Sequence, residues 1–132
     1  MSNGNYDPLE AGEYKMRIIE VEEMQTKNGD PMAKIKLFEP LEGKLVWDYI
    51  VFPLPGSSAY KILGRSLHFL HCIGEPYESD DLIVDPQNWR EKSVDVEIDV
   101  STYKDKDGNE RKKNVVKQYK LESWDEEDSP NL

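Results

Sequence analysis

Lysines and aromatic rings alternate at strand spacing in two parts of this chain, and that combination is the one with chemical potential. In the segment 33–38, Lys34, Lys36 and Phe38 alternate with Ala33, Ile35 and Leu37, so two cations and a ring share one face of an extended strand. Trp47 and Tyr49 stand two residues apart in the β-forming run Lys44 to Phe52. Between residues 102 and 121, seven basic side chains (Lys104, Lys106, Arg111, Lys112, Lys113, Lys117, Lys120) outnumber three acidic ones, and Tyr103 and Tyr119 are interleaved with them. Lys27 adds a cation in the turn Lys27 to Pro31. Cations that follow a phosphate backbone, and aromatic faces on which bases stack at ~1–3 kcal/mol each, are the two components of a single-stranded nucleic-acid site. The plainer reading of a lysine-rich hairpin is a solvated sheet edge, where lysines also deter strand-to-strand aggregation. Trp47 and Tyr49 fit a core as well as a binding face.

Catalytic chemistry finds little support. His68, His71 and Cys72 fall within one helical turn, with His68 and Cys72 at i, i+4, but no second cluster completes a tetrahedral metal set. A phosphate-cradling glycine loop and a nucleophile elbow are both missing from the sequence. The expectation is a protein without catalysis, cofactor or metal.

These residues need a scaffold, and the chain is long enough for one. Its 132 residues with 37% apolar content suffice for one small core, expected over residues 9–121, with a flexible N-terminus at 1–8 and a disordered acidic tail at 122–132. Gly12 to Gln25 alternates as a strand whose phase slips between Ile18 and Ile19, as a bulge would make it do. Lys27-Asn28-Gly29 then supplies turn chemistry before the strand carrying Lys34 and Lys36. The following run, Lys44 to Phe52, is apolar on both faces, so alternation leaves open whether Trp47 and Tyr49 or Ile50 and Phe52 point inward. Beyond Pro53 to Gly56, helical spacing over Ser57 to Ile73 predicts an amphipathic helix capped by Ser57 or Ser58 and ended by Gly74. Val94, Val96, Ile98 and Val100 alternate with acids, and Lys106 to Asn109 turns the chain into a last strand at about 112–121. Three strands, a helix and two strands is the order of a five-stranded OB barrel (β1-β2-β3-α-β4-β5), an all-β fold with one helix whose open face and loops bind single strands and oligosaccharides.

Leu9-Glu10-Ala11-Gly12-Glu13-Tyr14, the Thr26-Lys27-Asn28-Gly29 turn, Gly43 through Trp47-Asp48, and Trp89 together resemble a family of small phage proteins once catalogued as a domain of unknown function. Its members are regarded as OB-fold single-stranded-DNA-binding proteins encoded beside recombination genes. The resemblance covers about residues 9–121 and implies a non-catalytic protein of low sequence specificity that covers strands during phage DNA replication or recombination. In an OB fold the strand-two and strand-three face (Lys34, Lys36, Phe38, Trp47, Tyr49) contributes to the ligand groove, and the two loops that clamp ligand are the one holding Lys27 and the one holding Lys104, Lys106, Arg111, Lys112 and Lys113. A more distant likeness to bacterial single-strand-binding proteins rests on topology and the acidic tail.

The formal net charge of −10 opposes phosphate binding overall, yet five acids fall in residues 122–132 and the 102–121 hairpin is locally positive. In that tail Trp124, Asp125, Glu126, Glu127, Asp128 and Leu132 offer charge and apolar anchors for a replication or recombination partner, or a tethered competitor for the basic groove. A merely solubilising tail is the alternative. No apolar run approaches the roughly 18 residues a membrane span needs, and the lone Cys72 makes no internal disulfide, so a cytoplasmic location, in the host cell if phage-encoded, is expected. Homo-oligomer formation stays open. The rival reading is an acidic OB-fold adaptor that binds protein only, as an inhibitor of a host nucleic-acid enzyme would.

Overall fold

The computed structural model describes residues 8–58, 60–77 and 84–121. Five strands, β1 (Gly12–Gln25), β2 (Pro31–Glu39), β3 (Lys44–Val51), β4 (Ser93–Lys104) and β5 (Glu110–Lys120), are joined by one helix, α1 (Leu63–Cys72), and short 3-10 turns at Tyr60–Ile62 and Pro86–Trp89. All strand pairings are antiparallel, in one sheet of order β3-β2-β1-β4-β5. The expected mostly-β fold with one helix is present in the expected element order. The sheet is not closed into a barrel: β3 and β5 form its two edges, and among the described residues no ladder joins them. Side chains span the gap instead. The Tyr119 hydroxyl of β5 donates to Asp48 Oδ2 of β3 at 2.6 Å, and Arg65 of α1 donates to the same oxygen at 3.0 Å.

The phase slip in β1 is a bulge. Ile18 pairs with Leu37 and Glu20 with Lys36, leaving Ile19 outside the register. The bulge divides the strand's work, since Gly12 to Arg17 pair with β4 while Arg17 to Gln25 pair with β2. A second bulge lies in β5, where Ile98 meets Val116 and Glu97 meets Gln118 while Lys117 is skipped. An extra residue exchanges the faces that follow it. Tyr119 therefore joins Val116 on the inner side.

Tyr14, Met16 and Ile18 of β1, Ala33, Ile35 and Leu37 of β2, Val46 and Ile50 of β3, and Val94, Val96 and Ile98 of β4 supply the sheet's side of the core. α1 places Phe69 at its centre, edge-on to Trp89 at 4.9 Å and to Tyr119 at 4.8 Å between ring centroids. The helix is shorter at its start than the apolar spacing predicts. Ser57 does not cap it, because its hydroxyl donates to buried Asp30 and its backbone N–H donates to Leu54, binding it into the preceding turn. The end is as expected: Gly74 adopts φ +81°, Gly74 N–H donates to His71 and Glu75 N–H to Leu70, a Schellman closure.

Candidate nucleic-acid interface

Antiparallel registers decide which side chains meet on the outer face of β1, β2 and β3. Glu20, Lys36 and Trp47 are successive cross-strand partners in one row, and Glu22, Lys34 and Tyr49 in the next. Ala33, Ile35 and Leu37 are buried on the opposite side of β2, which turns Lys34, Lys36 and Phe38 outward. The same logic settles β3. Val46 and Ile50 are buried, so Trp47 and Tyr49 stand outside with 45% and 48% of their surface exposed. Leu45, opposite Phe38, extends the same face.

Cations sit on the exposed rings. Lys36 Nζ is 5.6 Å from the Trp47 ring centroid and Lys34 Nζ is 5.9 Å from that of Tyr49. Lys36 is also held 3.1 Å from Glu20 Oε2. On the other hairpin, Lys113 lies 5.5 Å over the ring of Tyr103, which is likewise about half exposed. Exposed pairs of this kind are worth about 0.5–1 kcal/mol, little enough to be exchanged for a stacked base.

The gap between β3 and β5 is a cleft of about 690 Å³. Trp47 and Tyr49 line one wall, Lys112 and Lys113 the other, and Pro8 lies among them. A second, smaller cleft of about 330 Å³ adjoins it on the β1–β2 side, with Trp47 in its wall together with Lys34, Lys36, Glu20, Glu22 and Arg90. Trp47 thus belongs to both clefts. Asn114 steadies the mouth of the larger one, donating to the Leu9 carbonyl at 2.9 Å and accepting from the Leu9 N–H at 2.8 Å.

Of the residues expected from sequence, Lys34, Lys36, Trp47, Tyr49, Lys112 and Lys113 converge on these clefts. Phe38 lies on the same outer face. Lys27, Lys104, Lys106 and Arg111 stand exposed on the β1–β2 turn and the β4–β5 hairpin, outside either cleft lining. Arg111 is committed locally, donating to Asp105 at 2.8 Å, and this bond, with backbone N–H groups of Asn109 and Asp107, holds the Asp105 carboxyl below its ordinary range. Lys117 faces Glu97 at 3.6 Å. Tyr119 is a correction: the β5 bulge turns it into the core with 2% of its surface exposed, where burial pushes its hydroxyl well above the ordinary value, so it offers no face for stacking. The proposed partner-binding tail, Trp124 to Leu132, lies outside the described residues.

Glu20, Glu22, Arg90 and Asn114 are site residues that sequence reasoning missed. The glutamates were within reach, because counting outward from the Thr26–Asp30 turn sets Glu22 opposite Lys34 and Glu20 opposite Lys36. Arg90 and Asn114 carry no comparable local signal.

Cys72 is buried in the core, whereas His68 is exposed on α1 and bonds within the fold. His68 Nε2 lies 2.8 Å from the Tyr119 carbonyl oxygen and 3.4 Å from Cys72 Sγ, and burial pushes the Cys72 thiol up to about 11, leaving it protonated. Among the described residues, no three His, Cys, Asp or Glu side chains are grouped to hold a metal, and no helix is long and apolar enough to cross a membrane.

Fold and face together define a mostly-β protein with a mixed cationic and aromatic outer surface opening onto a cleft between two sheet edges. The chain belongs to the family described as protein of unknown function DUF669, which matches residues 2–130. No match was found among curated proteins.

Proposed function

We propose that this chain is a non-catalytic single-stranded-DNA-binding protein of phage type, with an OB-like barrel left open between β3 and β5. The strand order β3-β2-β1-β4-β5 supports the architecture, since joining its two edges would complete a five-stranded barrel. One observation carries the functional reading: Trp47 and Tyr49 are exposed, each covered by a lysine, on the wall of the cleft whose other wall holds Lys112 and Lys113. Bases stack on the two rings, the displaced Lys34 and Lys36 move to phosphates, and Lys112 and Lys113 hold the backbone from the far side. Phosphate contacts dominate the affinity and carry no base information. The work suited to such a protein is covering strands exposed in replication or recombination, in the host cytoplasm, with the acidic tail as its contact to other proteins.

Fluorescence anisotropy with labelled oligothymidine and with duplex of equal length, over a range of salt, tests the reading. Single strands bind more tightly than duplex, because stacking needs base faces that a duplex hides. With four lysines on phosphates, log affinity falls against log salt with a slope of about −3. Equal affinity for both forms, or no binding at low salt, overturns the proposal, and the second result favours the protein-binding adaptor.

A further inference from the structure

Phosphate tracking explains the lysines and rings of the outer face, but not the acids beside them. Each row repeats one pattern: Glu20–Lys36–Trp47, then Glu22–Lys34–Tyr49. A carboxylate next to a phosphate path repels it. Glu20 and Glu22 nonetheless line the smaller cleft together with Trp47, Lys34, Lys36 and Arg90. They weaken a pure backbone site unless they meet hydrogen-bond donors, and base edges supply such donors.

The bases differ in how well they match a carboxylate set beside a cation. Guanine presents two neighbouring donors, N1–H and the N2 amino group, which suit the two oxygens of one carboxylate, and beside them the O6 acceptor, which suits lysine or arginine. Adenine and cytosine offer one amino group each on that edge, and thymine a single N3–H. In the first row the required pair is already assembled, with Lys36 Nζ 3.1 Å from Glu20 Oε2 and 5.6 Å from the centre of the Trp47 ring.

We propose that the Glu20–Lys36–Trp47 row is a guanine-reading subsite. A guanine stacked on Trp47 donates N1–H and N2–H to Glu20, while Lys36, shifted off the ring, stays beside Glu20 and donates to O6 in place of the phosphate contact it makes beside other bases. Arg90 in the same cleft is the second cation available to that edge. The inference rests on the single-strand reading and adds to it a local preference at one base, over an affinity still dominated by the backbone.

The test compares three nine-residue oligonucleotides by anisotropy with the full chain: all thymidine, the same with one central guanine, and the same with hypoxanthine there, which lacks the N2 amino group. A bidentate base contact predicts that the guanine oligonucleotide binds about fivefold or more tightly than all-thymidine, with hypoxanthine between them. Glu20→Gln removes the guanine preference and raises affinity for all-thymidine, because a negative charge beside the backbone is gone. Glu20 has a side chain 65% exposed, so the variant is expected to fold, and its circular dichroism spectrum verifies this. Equal binding of all three by the native chain overturns the guanine subsite and leaves the single-strand reading standing, whereas no binding of any of them overturns both. A folded Glu20→Gln variant that keeps the preference removes Glu20 from the subsite.

Discussion

Trp89 with Tyr119 and Trp47 with Tyr49 are chemically the same pair placed in two regions of this molecule, with opposite surroundings. Trp89 and Tyr119 are buried on either side of Phe69, meeting its ring at 69° and 71°. Trp47 and Tyr49 are about half exposed and meet lysine ammonium groups in place of rings. Ring-to-ring contact in a close-packed core cannot be exchanged without leaving a void. A cation over an exposed face gives way readily to a base. Residue type is therefore silent about the role of an aromatic side chain here; the phase of its strand and the mobility of what covers it decide.

Phe69→Ala is expected to break the inner region most severely. It opens a cavity between Trp89 and Tyr119 and costs about 3–5 kcal/mol of stability by denaturant titration, while the fraction still folded binds single strands as before. Trp47→Ala inverts that result. Stability changes by less than about 1 kcal/mol, since the ring is half exposed, and single-strand affinity falls by about 1–3 kcal/mol, about 5- to 150-fold by anisotropy. A variant that loses both properties in parallel would erase the distinction between the two regions.

Charge reversal sharpens the comparison across the cleft. Lys112→Glu with Lys113→Glu weakens binding for all sequences alike and cuts the salt slope to about half, because two of four proposed phosphate contacts are gone. An unchanged slope in the folded double variant would leave the outer β2–β3 face as the whole site. The smallest effect concerns the β4–β5 hairpin tip, where Asp105 Oδ1 accepts the N–H groups of Asp107 and Asn109, both at 2.9 Å. Chiefly through the bond from Arg111, the Asp105 carboxyl is held below its ordinary range. Its contribution to hairpin order is therefore present above the ordinary carboxylate pKa and lost as pH falls through the lowered one. Amide protection at Asp107 and Asn109, taken as the exchange rate relative to the unstructured rate at each pH from neutral downward, falls in that acid window, and a fall at higher pH would contradict the assignment.

Five strands in order, one helix, the β1 bulge and the outward lysines of β2 were all legible in the sequence, because each is written in local alternation or turn chemistry. The outward face of β3 was not. Its inner face carries Asp48 between Val46 and Ile50, and that acid is tolerated only because Tyr119 and Arg65 reach it from elements distant in sequence. Tyr119 was misread for a related reason: the β5 bulge at Lys117 has no glycine or turn residue to mark it, so simple alternation leaves the ring among lysines. The start of α1 was hidden because Ser57, a good cap by type, is drawn away by Asp30, 27 positions earlier. The open gap between β3 and β5, a property of the whole sheet, has no local signature.

Tryptophan fluorescence during an oligothymidine titration tests the central claim most directly. With Trp124→Phe as the background, which leaves Trp47 and Trp89 as the emitters, it falls as single strand binds and saturates with the anisotropy signal, since Trp47 stacks on a base while buried Trp89 is shielded. Trp47→Phe in that background keeps a ring for stacking, so it still binds by anisotropy but loses most of that quench. A background chain that binds single strand with its tryptophan emission unchanged, or a Trp47→Phe variant that quenches as fully as the background chain, would contradict the account and place the binding surface elsewhere.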